Sequence, residues 1–262
     1  MISKKSDSLI IAGKKFQSRF LLGTGKFRNK SDVKSCINSS GTQIVTVALR
    51  RVDVERHEEN ILKYIPKNVT LLINTSGARN AKEAVRIAHL AKESGCGNWI
   101  KIEVINDSKY LLPDNFETIK AAEQLVKDGF IVLPYVSPDL NVARELVKVG
   151  SSTVMPLGSL IGSRQGIRTK ELIQILIDEI DVPIIVDAGI GAPSQAAEAM
   201  EMGADAVLIN TAVATALDPV AAAKSFALAI TAGRLAHLSG MAQRAASAQA
   251  SSPLTGFLYE QS

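Results

Sequence analysis

Short apolar runs, rich in β-branched residues and separated by amphipathic stretches, recur along the whole of this 262-residue chain. They fall at residues 19–25 (RFLLGTG), 44–51 (IVTVALRR), 70–77 (TLLINTSG), 99–105 (WIKIEVI), 130–137 (FIVLPYVS), 153–158 (TVMPLG), 182–190 (VPIIVDAGI) and 206–213 (AVLINTAV). Runs this short and this apolar predict strands covered on both faces, as in a parallel sheet overlaid with helices. The stretches between them carry the helical period, for example 80–94 (NAKEAVRIAHLAKES), 117–127 (ETIKAAEQLVK) and 193–202 (PSQAAEAMEM).

Successive runs begin roughly 23–31 residues apart, one βα unit each. Eight such units in a chain of domain size predict an α/β fold, a (βα)8 TIM barrel. A doubly wound open sheet is the competing arrangement, but even spacing and a first turn without a dinucleotide fingerprint favour closure. Punctuation agrees with the count. Prolines 138, 193 and 219 fall near expected first helical turns, and Gly95, Gly129, Gly150 and Gly203 follow helical runs where a left-handed residue is wanted. Residues 9–16 (LIIAGKKF) predict a β-hairpin capping one barrel end. The expected organisation is a cap over 1–18, the barrel over 19–244 and an Ala- and Ser-rich tail over 245–262 without clear period.

Composition narrows the function classes. The two cysteines, Cys36 and Cys96, lack metal-ligand spacing, and no run is long or apolar enough for a signal peptide or a membrane span, so a cytoplasmic protein is expected. Net charge is +4, but the basic residues are scattered and aromatic content is 5%, which argues against a nucleic-acid surface and suits a phosphorylated substrate or acidic partner.

Catalytic groups of such a barrel sit at the C-terminal ends of its strands. The polar residues there are Gly23-Thr24-Gly25, Arg50-Arg51, Asn74 to Gly77, Lys101 with Glu103, Ser137, Gly158-Ser159, Asp187-Ala188-Gly189 and Asn210-Thr211. Strand alternation puts Lys101 and Glu103 on one face, about 6.6 Å apart along the strand. They form either a structural salt bridge or a Schiff-base lysine with an acid/base neighbour, the lysine's pKa lowered by desolvation and a crowded cationic site. Asp187 shares the face of Ile185 and reads either as a third member of this group or as a helix cap. The glycine-rich segments 158–166 and 189–191, with Asn210-Thr211, fall where barrels bind phosphate, although glycines serve turns equally well. His57, His89 and His237 share no motif. No metal and no tightly bound organic cofactor are expected, because imine chemistry needs neither.

Ten stretches carry a resemblance: 21–25 (LLGTG), 45–53 (VTVALRRVD), 98–105 (NWIKIEVI), 111–114 (LLPD), 128–135 (DGFIVLPY), 154–159 (VMPLGS), 182–191 (VPIIVDAGIG), 202–214 (MGADAVLINTAVA), 218–223 (DPVAAA) and 232–238 (AGRLAHL). In this order along nearly the whole chain, they resemble the thiazole synthases of thiamine biosynthesis. The resemblance implies a transferase in which Lys101 forms a Schiff base with 1-deoxy-D-xylulose 5-phosphate. Sulfur then arrives from the C-terminal thiocarboxylate of a sulfur-carrier protein, and dehydroglycine (iminoacetate) completes the ring. It implies Glu103 and Asp187 as acid/base residues, and Gly162, Ala188, Gly189, Asn210 and Thr211 as sugar-phosphate contacts. It also implies a homotetramer, and a separate enzyme, glycine oxidase or radical tyrosine lyase, to make the dehydroglycine. The chain departs from the family at Ile73 and Ser76 (INTSG for PNTAG), Val136 (usually Cys), Leu160 and Arg164 (GSLIGSRQG for GSPIGSGQG), and Gln249 in the tail. The alternatives are a class I aldolase-type sugar-phosphate barrel, which needs no sulfur carrier, and a non-catalytic phosphate-binding barrel in which Lys101 and Glu103 merely pair.

Overall fold

A computed structural model describes residues 7–49, 60–241 and 247–248. Every apolar run contributes one strand of an eight-stranded parallel sheet: β3 (Phe20–Gly23), β4 (Ile44–Ala48), β5 (Thr70–Asn74), β6 (Trp99–Ile102), β7 (Ile131–Val136), β8 (Met155–Pro156), β9 (Ile185–Asp187) and β10 (Ala206–Ile209). Neighbours follow chain order, and β10 returns to pair with β3 through Val207 opposite Phe20. The seam between β8 and β9 is closed by two parallel bridges, Val154 to Ile184 and Leu157 to Asp187. There the Gly158 N–H donates to the Asp187 carbonyl at 3.1 Å, so the sheet is a barrel.

The outer layer holds α1 (Lys30–Ser40), α2 (Ala81–Glu93), α3 (Asn115–Lys127), α4 (Leu140–Lys148), α5 (Lys170–Glu179), α6 (Pro193–Glu201), the short α7 (Thr211–Ala214) and α8 (Pro219–Ser239). Among the described residues the crossover after β4 carries one 3-10 turn, Ile61–Tyr64, where the repeat predicts a helix. Asn80, Asp114, Asp139 and Asp218 cap α2, α3, α4 and α8, each accepting from an N–H of the first turn. Pro193 and Pro219 open α6 and α8 as expected, whereas Pro138 precedes the Asp139 cap and stands outside α4. Gly95, Gly129, Gly150 and Gly203 all take positive φ after their helices. Arg50 and Arg51, His57 and most of the tail lie outside the described residues.

Alternation along the strands sorts the apolar residues into two layers. Leu22, Val45, Ile73, Ile100, Ile102, Val132, Val186 and Ile209 face the helices. Leu21, Ile44, Leu72, Leu133, Met155, Ile185 and Leu208 fill the barrel. The N-terminal segment does form a hairpin, β1 (Leu9–Ile11) and β2 (Lys14–Phe16), turned by Ala12 and Gly13, both at positive φ as a two-residue hairpin turn requires. Its Leu9, Ile11 and Phe16 join the interior cluster beneath Trp99, and the Phe16 ring meets Trp99 edge-on at 5.7 Å. Lys14 covers both rings and donates to Thr70 Oγ1 at 2.8 Å. The floor of the barrel is therefore apolar and covered by the hairpin.

Removing the plug tests this account. Phe16→Ala should lower stability by roughly 3–5 kcal/mol through the cavity it leaves, read as a lower denaturation midpoint in the fluorescence of Trp99, the chain's one tryptophan. An unchanged midpoint would mean the hairpin does not support the barrel floor.

Candidate active site

Above the apolar floor, the same alternation that points Trp99 inward points Lys101 inward one step closer to the C-terminal end of β6, and Glu103 follows just past the strand. Asp187 ends β9 on the face of Ile185. The Lys101 Nζ lies 2.5 Å from Asp187 Oδ2 and 3.5 Å from Glu103 Oε2, and all three side chains are buried. Asp187 is therefore a strand residue facing the amine, not a helix cap. The nearer partner of Lys101 comes from across the sequence, and the Glu103 two residues away is the more distant one.

Glu103 is held by the end of β5. The Asn74 Nδ2 donates to Glu103 Oε2 at 3.3 Å, and the Asn74 Oδ1 accepts the Ser76 N–H at 2.7 Å. Thr75 Oγ1 accepts the Glu103 N–H at 2.9 Å and donates to the Glu103 carbonyl at 3.1 Å. Ser76, one of the departures from the family pattern, takes part here through its backbone. Beside the amine, the Tyr135 ring of β7 has its centroid 5.1 Å from Nζ. The Tyr135 hydroxyl is buried without a hydrogen-bond partner among the described residues. Burial, then the charges of Asp187 and Glu103, push its pKa above the ordinary tyrosine range, so it stays a phenol.

The electrostatics correct one expectation. Burial disfavours the Lys101 ammonium, but Asp187 and then Glu103 outweigh it and raise the lysine's pKa above its ordinary value. The groups that govern this amine are anionic, not cationic, so in the free protein it rests protonated. Burial pushes the Asp187 carboxyl up, opposed by Lys101 and reinforced by the like charge of Glu103. A proton on Nζ thus has an acceptor 2.5 Å away whose basicity burial has increased.

These groups line a cavity of about 1070 Å³ at the C-terminal end of the strands. Gly162, Ala188, Gly189, Asn210 and Thr211 line it too, with Gly23 to Gly25, Asn74, Ser76 and Gly77. Ser137, Gly158 and Ser159 do not. Gly189 has φ +82, and a Cβ there would stand 2.0 Å from Ser159 Oγ, so only glycine lets the two loops cross. The N–H groups of Gly191 and Ala192 both donate to Gln195 Oε1, at 2.7 and 3.1 Å, so that part of the expected anion cradle is occupied by the chain's own side chain. His89 pairs with Asp128 at 2.9 Å and His237 with the Glu201 carbonyl at 3.1 Å, both away from the cavity. Among the described residues no group of three or more potential ligands is placed to hold a metal. Sequence reasoning passed over Lys26, Arg79, Asn106 and Ser108, which also line the mouth. For Lys26 the signal was present, a cation directly after Gly25 at a strand's C-terminal end.

A closed parallel barrel with a buried amine between two carboxylates at its C-terminal mouth defines the class: a (βα)8 barrel with a polar pocket at the end where such barrels carry their active sites. The family described as thiazole biosynthesis protein ThiG matches residues 10–253, and the chain belongs to that family. The thiazole synthase of Pelotomaculum thermopropionicum is 63% identical over 252 residues, covering 96% of this chain and 98% of that protein. That of Alkaliphilus metalliredigens is 64% identical over 250 residues, covering 95% and 97%. Among solved structures, the Amycolatopsis orientalis BexX/CysO complex contains a chain 31% identical to this one, with a TM-score of 0.81, covering 91% of this chain and 98% of that chain. Thiamine phosphate pyrophosphorylase from Pyrococcus furiosus, 13% identical with a TM-score of 0.58 and covering 82% of this chain and 95% of that one, shares the fold alone.

If Asp187 is the main support of the ammonium, Asp187→Asn removes a charge that favours the protonated form, and Lys101 should lose its proton at lower pH. The pH at which Lys101 becomes reactive to a small amine-acylating reagent, followed by peptide mass, should move down. An unmoved midpoint would assign that support to Glu103.

Proposed function

We propose that this protein is a thiazole synthase acting through an imine at Lys101 on 1-deoxy-D-xylulose 5-phosphate. The observation that carries the reading is the buried Nζ lying 2.5 Å from Asp187 and 3.5 Å from Glu103. Imine formation needs an amine that gives up a proton on demand and a nearby group to return it to the departing carbonyl oxygen. Asp187 accepts the ammonium proton, the free amine attacks the ketone carbon, and the oxygen leaves as water after protonation. Glu103, fixed by Asn74 and Thr75, is set to move protons in the tautomerisations that follow. Gly162, Ala188, Gly189, Asn210 and Thr211 hold the phosphate end.

Sulfur comes from a sulfur-carrier protein bearing a C-terminal thiocarboxylate, and dehydroglycine from a separate enzyme closes the ring. The occurrence of a 31%-identical barrel in a BexX/CysO complex supports a protein partner at this fold. The reading includes a cytoplasmic homotetramer. The described residues contain no helix long and apolar enough to cross a membrane.

Borohydride trapping with 1-deoxy-D-xylulose 5-phosphate, followed by intact mass and peptide mapping, should place a stable adduct on Lys101. Lys101→Ala should give no adduct and no thiazole phosphate while still unfolding cooperatively. Thiazole formation should require both the thiocarboxylated carrier and dehydroglycine. Absence of an adduct would favour a non-catalytic barrel, and carbon–carbon cleavage of the sugar phosphate without the carrier would favour an aldolase.

A further inference from the structure

The five residues assigned to the phosphate end share one property: none carries a charge. A phosphate monoester near neutral pH carries close to two negative charges, and a site that discriminates it from a neutral sugar is expected to contain a cation. Lys26 occupies that place. It follows Gly25 in the loop after β3, and this loop lies against the loop after β10. A Cβ on Gly23 would stand 2.4 Å from Asn210 Cβ, and one on Gly25 would stand 2.7 Å from Asn210 Nδ2. The close approach carries the next residue over the mouth. Lys26 itself adopts φ +65, a left-handed conformation unusual for a residue with a side chain.

The result is a convergence of three loops on one point. The Lys26 Nζ lies 3.1 Å from where a Cβ on Gly162 would stand, and Thr211 Oγ1 lies 3.8 Å from the same point. Gly162, at φ +75, has an N–H that donates to no group among the described residues. The ammonium of Lys26 likewise makes no ion pair among them. An unpaired cation, a hydroxyl and a free amide around one point of the mouth form a set of donors suited to a phosphoryl group. Lysine fits this role as a compact point charge with three donors.

We propose that Lys26 is a specificity-determining residue of this site, the cation that selects a phosphorylated ketose over its unphosphorylated counterpart by binding the phosphoryl group alongside Gly162 and Thr211. The inference rests on the reading given under Proposed function.

The test measures trapping at Lys101 as a function of substrate concentration, with 1-deoxy-D-xylulose 5-phosphate and with 1-deoxy-D-xylulose, in the full chain and in Lys26→Met and Lys26→Arg. With the phosphorylated ketose, Lys26→Met should raise the half-saturating concentration about tenfold, the scale of one charge-assisted hydrogen bond. The unphosphorylated ketose should respond alike in all three proteins, and Lys26→Arg should recover most of the loss. Independently of catalysis, inorganic phosphate should raise the denaturation midpoint of the parent more than that of Lys26→Met. Equal changes with both sugars, or no change with either together with unaltered stabilisation by phosphate, would overturn the assignment. If the parent gives no Lys101 adduct with either sugar, the imine reading fails, and the phosphate-stabilisation comparison alone decides the role of Lys26.

Discussion

The contact between Lys101 and Asp187 depends on the closure of the barrel and in turn explains the buried charge at its mouth. An ammonium removed from water without a partner would be strongly destabilising, and it would lose its proton instead. Two carboxylates prevent that, one from just past the end of β6, the strand that carries Lys101, and one from β9, three strands round the barrel. The closer one reaches the amine because the β8–β9 seam is joined at Asp187 itself, through its bridge to Leu157 and its carbonyl bond to Gly158. A pair buried in this way adds little net stability compared with apolar packing. What the fold holds in fixed register there is an ammonium against two carboxylates, the arrangement on which the proposed imine chemistry rests.

One structural device, the alternation of side chains along a parallel strand, builds both halves of the interior. On β6 it sends Trp99 into the apolar floor and Lys101 into the polar mouth, and on β9 it does the same with Ile185 and Asp187. The floor is covered by the β1–β2 hairpin, so the cavity opens at the end where the loops carry function. The loop ends then divide the work. The end of β5 fixes Glu103 through Asn74 and Thr75, while the loops after β3, β8 and β10 meet around Gly162. Tyr135 lies beside the amine as an uncharged ring, compatible with a cation nearby and contributing no charge of its own.

Glycine-rich segments proved less uniform than their composition suggested. Gly189 and Gly191 both serve close crossings, a Cβ on the first standing 2.0 Å from Ser159 Oγ and on the second 2.5 Å from Arg164 Cβ, and the Gly191 N–H is in addition bonded to Gln195. Gly162 has an N–H at the mouth that donates to no group among the described residues. The same composition therefore covers close packing, local capping and an amide left open to the mouth, and the distinction is one of neighbours rather than of residue type.

The pattern of apolar runs was sufficient for eight strands, their parallel order, the inward face of Lys101, Glu103 and Asp187, and the hairpin at the N-terminal end. All of these follow from local periodicity and from the few ways a sheet buried on both faces can be covered. Of the crossover after β4, the described residues form a 3-10 turn, Ile61–Tyr64, and residues 50–59 lie outside them. The choice of Asp187 as the nearer partner, the raised rather than lowered pKa of Lys101, the consumption of the Gly191 and Ala192 amides and the convergence of Lys26 on Gly162 were not legible along the chain. Each depends on distances between segments far apart in sequence, and electrostatic and hydrogen-bond energies are set by those distances and by burial, which exist only once the barrel has closed.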